Sequence, residues 1–138
     1  MTTVIANPVF LYVEDDMFSR EVISLLIQDV LGYNQLTIFD SSENFKDRVC
    51  KLLPQPDIIF LDIQIRPHDG YAMLKMLSDE PRFANTIVIA MTANVMSHDV
   101  EKLRSVGFNG LIGKPLIKEI FPQLIEKILM GESVWYIP

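Results

Sequence analysis

Short apolar runs alternate with amphipathic stretches along almost the whole chain. Residues 8–13, Pro-Val-Phe-Leu-Tyr-Val, form the first apolar run, which stops at Glu14-Asp15-Asp16. Residues 17–31 then carry apolar side chains at 18, 22, 25, 26 and 30, a helical stripe, with Asp16 as its N-cap and Gly32 as its stop. Residues 36–39 read as a second strand. Asp40 and Glu43 offer a capping pair for a helix running to about residue 53, before Pro54 and Pro56. Residues 57–62, Asp-Ile-Ile-Phe-Leu-Asp, are a third strand whose four central residues are apolar, as a strand buried on both faces requires. Asp69-Gly70 opens a helix with Met73, Leu74 and Leu77 on one face, ending before Pro81. Residues 86–91 are a fourth strand that runs into Thr92. Ser97 suits the cap of a helix through 105, with Asp99 and Glu101 in its first turn and Gly107 at its end. Residues 110–113 make a fifth strand, followed by Lys114-Pro115. The last helix repeats apolar residues at 117, 120, 121, 124, 125 and 128, a period of about 3.6. Pro122 interrupts that pattern, so the helix either starts late or kinks there.

The order is strand–helix five times over. Strict alternation predicts an α/β fold, a doubly wound five-stranded parallel sheet with helices on both faces. At 138 residues the chain is one domain with a real core. Residues 131–138, Gly-Glu-Ser-Val-Trp-Tyr-Ile-Pro, differ in character: an apolar, aromatic tail. It serves either as a protein contact or as a strip packed back on its own domain.

Charge and cysteine usage narrow the function classes. A net charge of −6 argues against non-specific nucleic-acid binding and suits a site that gathers carboxylates around a cation. The single cysteine, Cys50, excludes an internal disulfide, fits a reducing compartment, and reads as a small buried hydrophobe on a helix. The N-terminus lacks a basic region followed by a long apolar segment, and no run reaches the ~18 apolar residues of a membrane span. The expectation is a cytoplasmic protein.

Four of the five strands finish in a polar signature: Glu14-Asp15-Asp16, Asp62, Thr92 and Lys114. Parallel strands bring those ends to one edge of the sheet, where open α/β sheets place their ligands. Taken singly, each has an ordinary structural role: a helix cap, a turn residue, loop chemistry, a surface lysine. Together they form a chemical set. Neighbouring carboxylates repel and call for a hard cation, and Mg²⁺ takes oxygen ligands, waters and phosphate. An aspartate can act as a nucleophile towards phosphorus. A lysine and a hydroxyl aimed at the transferred group supply the remaining charge and hydrogen bonds.

The chain resembles the receiver domain of two-component response regulators over about residues 8–130. The matching residues are Phe10-Leu11-Tyr12-Val13-Glu14-Asp15-Asp16, Ile59-Phe60-Leu61-Asp62, Asp69-Gly70, Met91-Thr92-Ala93 and Gly113-Lys114-Pro115. Thr92 and Lys114 follow Asp62 at 30 and 52 residues, the family's usual spacing. The resemblance implies a flavodoxin-like (βα)5 fold with strand order 2-1-3-4-5. It implies Asp62 as phosphoacceptor and Mg²⁺ held by Glu14, Asp15, Asp62 and the backbone carbonyl of Gln64. Thr92 would bind the phosphoryl group and act as a switch residue, Lys114 would pair with phosphoryl oxygen, and the Lys114–Pro115 bond would be cis. Gln64 and Asn94 stand where the family tunes hydrolysis. Residues 89–94 and Lys114-Pro115-Leu116 are also similar to receivers served by hybrid histidine kinases in phosphorelays.

Two positions depart from the family pattern. Arg66 stands where proline is common, with Pro67 after it, so the loop beyond Asp62 is expected to differ in shape. Leu111 stands where a switching Tyr or Phe is usual. The resemblance and the residues together read as a single-domain response regulator: residues 1–130 the receiver, 131–138 the tail, no output domain. It takes its phosphoryl group from a histidine kinase or histidine phosphotransfer protein and signals through protein contacts. A downstream protein target or a homodimer through the last helices or the tail would carry the signal, without nucleic acid or membrane. It is a phosphoacceptor rather than an enzyme acting on other substrates. A haloacid-dehalogenase-type phosphatase would want a second Asp at position 64, where Gln64 stands. A receiver-like module that binds without phosphorylation is the alternative, although such modules usually lose the acidic pair or the acceptor, and both are present here.

Overall fold

The computed structural model describes residues 5–94 and 97–138, with the backbone alone for 97–99. Its strands are β1 (Phe10–Val13), β2 (Leu36–Phe39), β3 (Ile58–Asp62), β4 (Ile87–Thr92), β5 (Gly110–Gly113) and β6 (Trp135–Tyr136). All pair in parallel, in the order β2-β1-β3-β4-β5-β6. The helices are α1 (Met17–Ser24), α2 (Phe45–Cys50), α3 (Gly70–Ser78), α4 (Ser97–Val106) and α5 (Phe121–Leu129). The doubly wound order 2-1-3-4-5 is present, and a sixth strand extends it.

Period two along each strand divides the core into two layers. Leu11, Val13, Ile59, Leu61, Val88, Ala90 and Leu111 face one layer, where α2, α3 and α4 supply Phe45, Val49, Met73, Leu77 and Leu103. Phe10, Tyr12, Ile58, Phe60, Ile89, Met91 and Ile112 face the other, closed by α1 through Ile23, by the helical residues that follow it through Ile27, and by α5 through Phe121, Ile125 and Ile128. Phe60 centres that second layer. Phe10 stacks on it at 6.0 Å, Tyr12 meets it edge-on at 6.2 Å, and Phe121 lies at 6.4 Å. Aromatic pairs at such spacings add to the stabilisation from burial.

The helix ends follow the chemistry of their caps. The Asp16 carboxylate accepts from Ser19 N at 2.8 Å and opens α1. Asp69 accepts from Ala72 N at 2.8 Å and opens α3. Pro122 falls in the first turn of α5, which begins at Phe121. Proline is suited there, because its missing N–H would have had no helical partner. Ser97 begins α4, but its side chain and that of Asp99 lie outside the described residues.

The structure corrects two expectations and settles two that the sequence left open. The sheet has six strands, because residues 131–138 fold back beside β5. Leu111 N donates to Val134 O at 2.8 Å, and Leu111 and Ile112 sit in register with Trp135 and Tyr136. Val134 is buried, and Trp135 packs on the first core layer beneath the Arg104 guanidinium. The first helix continues past Ser24 as a π-helical stretch, Leu25–Val30, before Gly32 at φ +78° ends it. Its buried face is Ile23, Leu26 and Ile27, while Phe18 is 72% exposed and Leu25 and Val30 are also exposed. Two apolar stripes compete on that helix, and its packing on the sheet chose the second. The second helix spans only Phe45–Cys50 and is not capped by Asp40 and Glu43. Asn44 stands at its start at φ +53°, and Arg48 donates to Ser41 O and Glu43 O, both at 3.2 Å, so the helix's own arginine satisfies those carbonyls. The fifth helix starts at Phe121, four residues after its apolar repeat begins, which is the late start that Pro122 allowed for.

Candidate functional site

Each strand that ends at this edge delivers its residue by register alone. Val13 pairs with Leu61 across β1 and β3, so Glu14 and Asp62 emerge side by side. Asp62 pairs with Met91, and Thr92 with Gly113, which brings Thr92 and Lys114 to the same edge. Backbone bonds lock the loops beyond the strands: Glu14 N to Phe39 O at 3.0 Å, Ile63 N to Met91 O at 3.1 Å, Lys114 N to Thr92 O at 2.8 Å. The Lys114–Pro115 peptide is cis, as are Leu53–Pro54 and Arg66–Pro67. The last of these includes Arg66, the position that departs from the family pattern. His68 N donates to the buried Ser42 Oγ at 2.7 Å, tying this loop to the β2–α2 loop.

Oxygens of Glu14, Asp15 and Asp62 lie within 4.8 Å of one another. Glu14 is fully buried, Asp62 is 5% exposed, and Asp15 faces solvent. Glu14 is heavily engaged. Its Oε1 accepts from Tyr12 O–H at 2.7 Å and from Lys114 Nζ, and its Oε2 accepts from Asp16 N at 3.2 Å. Lys114 Nζ is also 3.8 Å from Asp62 Oδ2. Asp62 Oδ1 accepts from Gln64 N at 3.2 Å. Thr92 is buried; its Oγ accepts from Asn94 N at 3.2 Å, which leaves the hydroxyl hydrogen free to donate into the site. Asn94 Nδ2 donates to Gln64 Oε1 at 2.9 Å and bridges the loops after β3 and β4.

The electrostatics follow from two buried carboxylates beside one lysine. Burial pushes the Asp62 carboxyl up, and its contact with ionised Glu14 pushes it further, to about 7; Lys114 and Gln64 N only partly oppose this. Glu14 moves the other way. Burial alone would raise it, but hydrogen bonds with Asp62, Lys114 and Tyr12 hold it well below the usual carboxylate range. Burial and the nearby Glu14 charge keep the Tyr12 phenol protonated, hence a donor. Burial and then Glu14 raise Asp15 as well. The pocket is therefore short of positive charge, and a hard cation facing Asp15 and Asp62 would relieve it. An all-oxygen donor set with open solvent on the Asp15 side fits Mg²⁺, which keeps several waters.

The structure thus brings together Glu14, Asp15, Asp62, Gln64, Thr92 and Lys114. Leu111 is not among them: it is fully buried in the first core layer, with Trp135 as its neighbour on β6. Tyr12 was not singled out from the sequence. Its signal was present in the two-residue spacing that puts Tyr12 and Glu14 on one face of β1.

Comparison with known proteins agrees with this geometry. The profile of the response regulator receiver domain matches residues 10–126. Among curated proteins, the signal transduction histidine-protein kinase BarA of Escherichia coli is 29% identical over 122 residues, 88% of this chain and 13% of that protein. The polar-differentiation response regulator DivK of Brucella anthropi is 35% identical over 75 residues, 54% of this chain and 61% of DivK. This chain therefore spans about an eighth of the kinase's length and less than two thirds of DivK's. Among solved structures, a two-component response regulator from Legionella pneumophila is similar with a TM-score of 0.74 at 26% identity, covering 90% of this chain and 98% of that one. The receiver domain of a Pseudomonas aeruginosa sensor histidine kinase, with magnesium coordinated in its active-site cleft, has a TM-score of 0.75 at 24% identity, covering 92% and 100%. The match extends over most of the chain and includes every strand end that builds the site, so the chain belongs to the response regulator receiver domain family.

Proposed function

We propose that this protein accepts a phosphoryl group on Asp62 from a phosphohistidine of a histidine kinase or histidine phosphotransfer protein, and passes the signal on through protein contacts. The observation that carries this reading is the position of Asp62. It ends the central strand β3, nearly buried, within 4.8 Å of two other carboxylates and 3.8 Å from the Lys114 ammonium. In the reaction an Asp62 oxygen forms a bond to phosphorus as the P–N bond to the donor histidine breaks. The bonding pair returns to the imidazole nitrogen. Mg²⁺, held by Glu14, Asp15, Asp62 and the Gln64 carbonyl, would neutralise the oxygens of the incoming group. Thr92 Oγ donates its free hydrogen to one phosphoryl oxygen, and Lys114 pairs with another. The chain's contribution is position and charge.

The donor's approach is supported by the cleft beside the site. A cavity of about 550 Å³ is lined by Tyr12, Phe18, Ser19, Val22, Ala93, Lys114, Pro115 and Leu116. Such a mostly apolar lining that includes the site lysine suits a helix that presents a phosphohistidine. Among the described residues, no helix is long and apolar enough to cross a membrane.

The test is intact-protein mass after incubation with Mg²⁺ and phosphoramidate, for the native chain and Asp62→Asn. One phosphoryl group gained by the native chain, lost with EDTA and absent from the variant, is the expected result. No gain in a native chain shown to bind Mg²⁺ would sink the phosphoacceptor reading and leave a receiver-like binding module.

A further inference from the structure

The sheet's hold on the first acidic turn ends early. The last register pairs of β1 are those of Val13, and the bond from Glu14 N to Phe39 O at 3.0 Å carries that hold one residue further. Asp15 lies beyond it and faces solvent, so neither the ladder nor burial fixes it. What holds it is the first turn of α1. The Asp16 carboxylate accepts from Ser19 N and Ser19 Oγ, both at 2.8 Å. Arg20 then grips the chain on both sides of Asp15: its backbone N donates to Asp16 O at 3.1 Å, and its guanidinium Nη1 donates to Glu14 O at 3.1 Å. The first of these is the opening bond of the helix, and any non-proline residue would keep it. The second belongs to the arginine side chain. It closes the turn from six residues along the chain and ends on a backbone oxygen, which leaves the carboxylate oxygens open to a cation.

We infer that Arg20 is a positioning residue for the metal: its guanidinium clamps the Glu14–Asp15–Asp16 turn and holds Asp15 where it shares a cation with Glu14 and Asp62. This role rests on those three carboxylates being the Mg²⁺ site. Three consecutive carboxylates repel one another, and an unclamped turn would relax by swinging the exposed one outwards. Mg²⁺ demands near-octahedral geometry and tolerates little such drift. Groups that orient metal ligands without touching the ion cost about tenfold or more in affinity when removed. The direction of the effect separates a clamp from a mere charge. A guanidinium near a cation site repels the cation, so as a charge alone its loss would tighten Mg²⁺ binding. As a clamp, its loss weakens binding.

Isothermal titration calorimetry of Mg²⁺ into the wild type, Arg20→Met and Arg20→Lys tests this, with the metal-free thermal midpoint read on each protein. Methionine keeps the helix propensity and most of the stem, so a folded variant is expected. Its Mg²⁺ dissociation constant should rise about tenfold. The Mg²⁺ concentration that half-saturates phosphoryl uptake from phosphoramidate should rise in parallel. An unchanged or smaller dissociation constant in Arg20→Met would overturn the inference. So would a lower midpoint with unchanged affinity, which is what an arginine that only stabilises the helix gives. Arg20→Lys keeps the charge and a donor but not the planar fork, and its dissociation constant should rise about threefold. A value at or below the wild type's would overturn the inference through that variant alone. No Mg²⁺ bound by the wild type would defeat the metal site and the clamp with it. Mg²⁺ bound with the expected losses, but no phosphoryl uptake, would uphold the clamp and defeat only the phosphoacceptor reading.

Discussion

At the scale of the residue, the site is built from charges that disagree. Asp62 in the folded protein binds its proton more tightly than in the unfolded chain, with its carboxyl at about 7 instead of the ordinary 3.8. The sign follows from linkage. A raised carboxyl contributes stability that is complete below the unfolded value and is lost as pH rises through the folded one. In EDTA, Asp62→Asn should therefore match the wild type near pH 4 and become more stable than it as pH climbs to about 7, after which the gap levels. At 1.36 kcal/mol per unit the ceiling is about 4 kcal/mol, and about 2 kcal/mol is expected after local relaxation of the buried pair. Urea unfolding across this pH range measures it; a variant less stable than the wild type at pH 8 would contradict the charge conflict described here. Asp62, Thr92 and Lys114 were legible as a set because the sheet's parallel order makes strand ends meet. Tyr12 was not, because a tyrosine inside an apolar strand reads as core until its hydroxyl is seen against Glu14.

At the scale of the element, β6 is the strand that the alternating pattern did not predict. The glycines of β5 fit it closely. A Cβ on Gly110 would lie 2.6 Å from Val134 O, and one on Gly113 would lie 2.7 Å from the Pro138 ring. Backbone cannot yield as a flexible side chain does, so even a methyl group must push the tail away. Gly110→Ala should destabilise the protein by about 2 kcal/mol, a strained small-to-large change, and shift Trp135 emission to longer wavelength as the indole leaves Leu111 and Arg104. Unchanged emission with unchanged stability would mean that the tail is held elsewhere. The sequence exposed the tail's apolar character but not its destination, because a four-residue apolar strip suits a partner and its own sheet equally. Helix starts divide along similar lines. Asp16 and Asp69 cap through local bonds and were readable; the short second helix depends on Arg48 reaching back to Ser41 and Glu43, which no capping pattern encodes.

At the scale of the whole molecule, two packed layers hold six strand positions rigid while the site edge is left electrostatically unsatisfied. A ligand that binds only the folded state stabilises it by mass action, by about 2.7 kcal/mol at a hundred times its dissociation constant. Mg²⁺ should therefore raise the thermal midpoint by several degrees. The rise should be larger at pH 8 than at pH 6, since the cation must displace the proton on Asp62, and it should largely vanish in Asp62→Asn. Differential scanning calorimetry with and without Mg²⁺ at both pH values measures this. An equal rise in the variant would place the cation away from Asp62.

The sequence by itself determined the alternation of strands and helices, and with it the parallel sheet and its layers, since a period of two or of 3.6 is a local property. It also determined which polar residues reach the site edge, because each sits at the end of its own strand. The tertiary structure decided what local patterns leave degenerate. It chose between the two apolar stripes of the first helix, sent the tail to β5, left Leu111 in the core beside Trp135, and joined Tyr12, Glu14 and Lys114. The reason is common to all four: each depends on which surfaces meet across the fold, and the energy of a contact belongs to both partners.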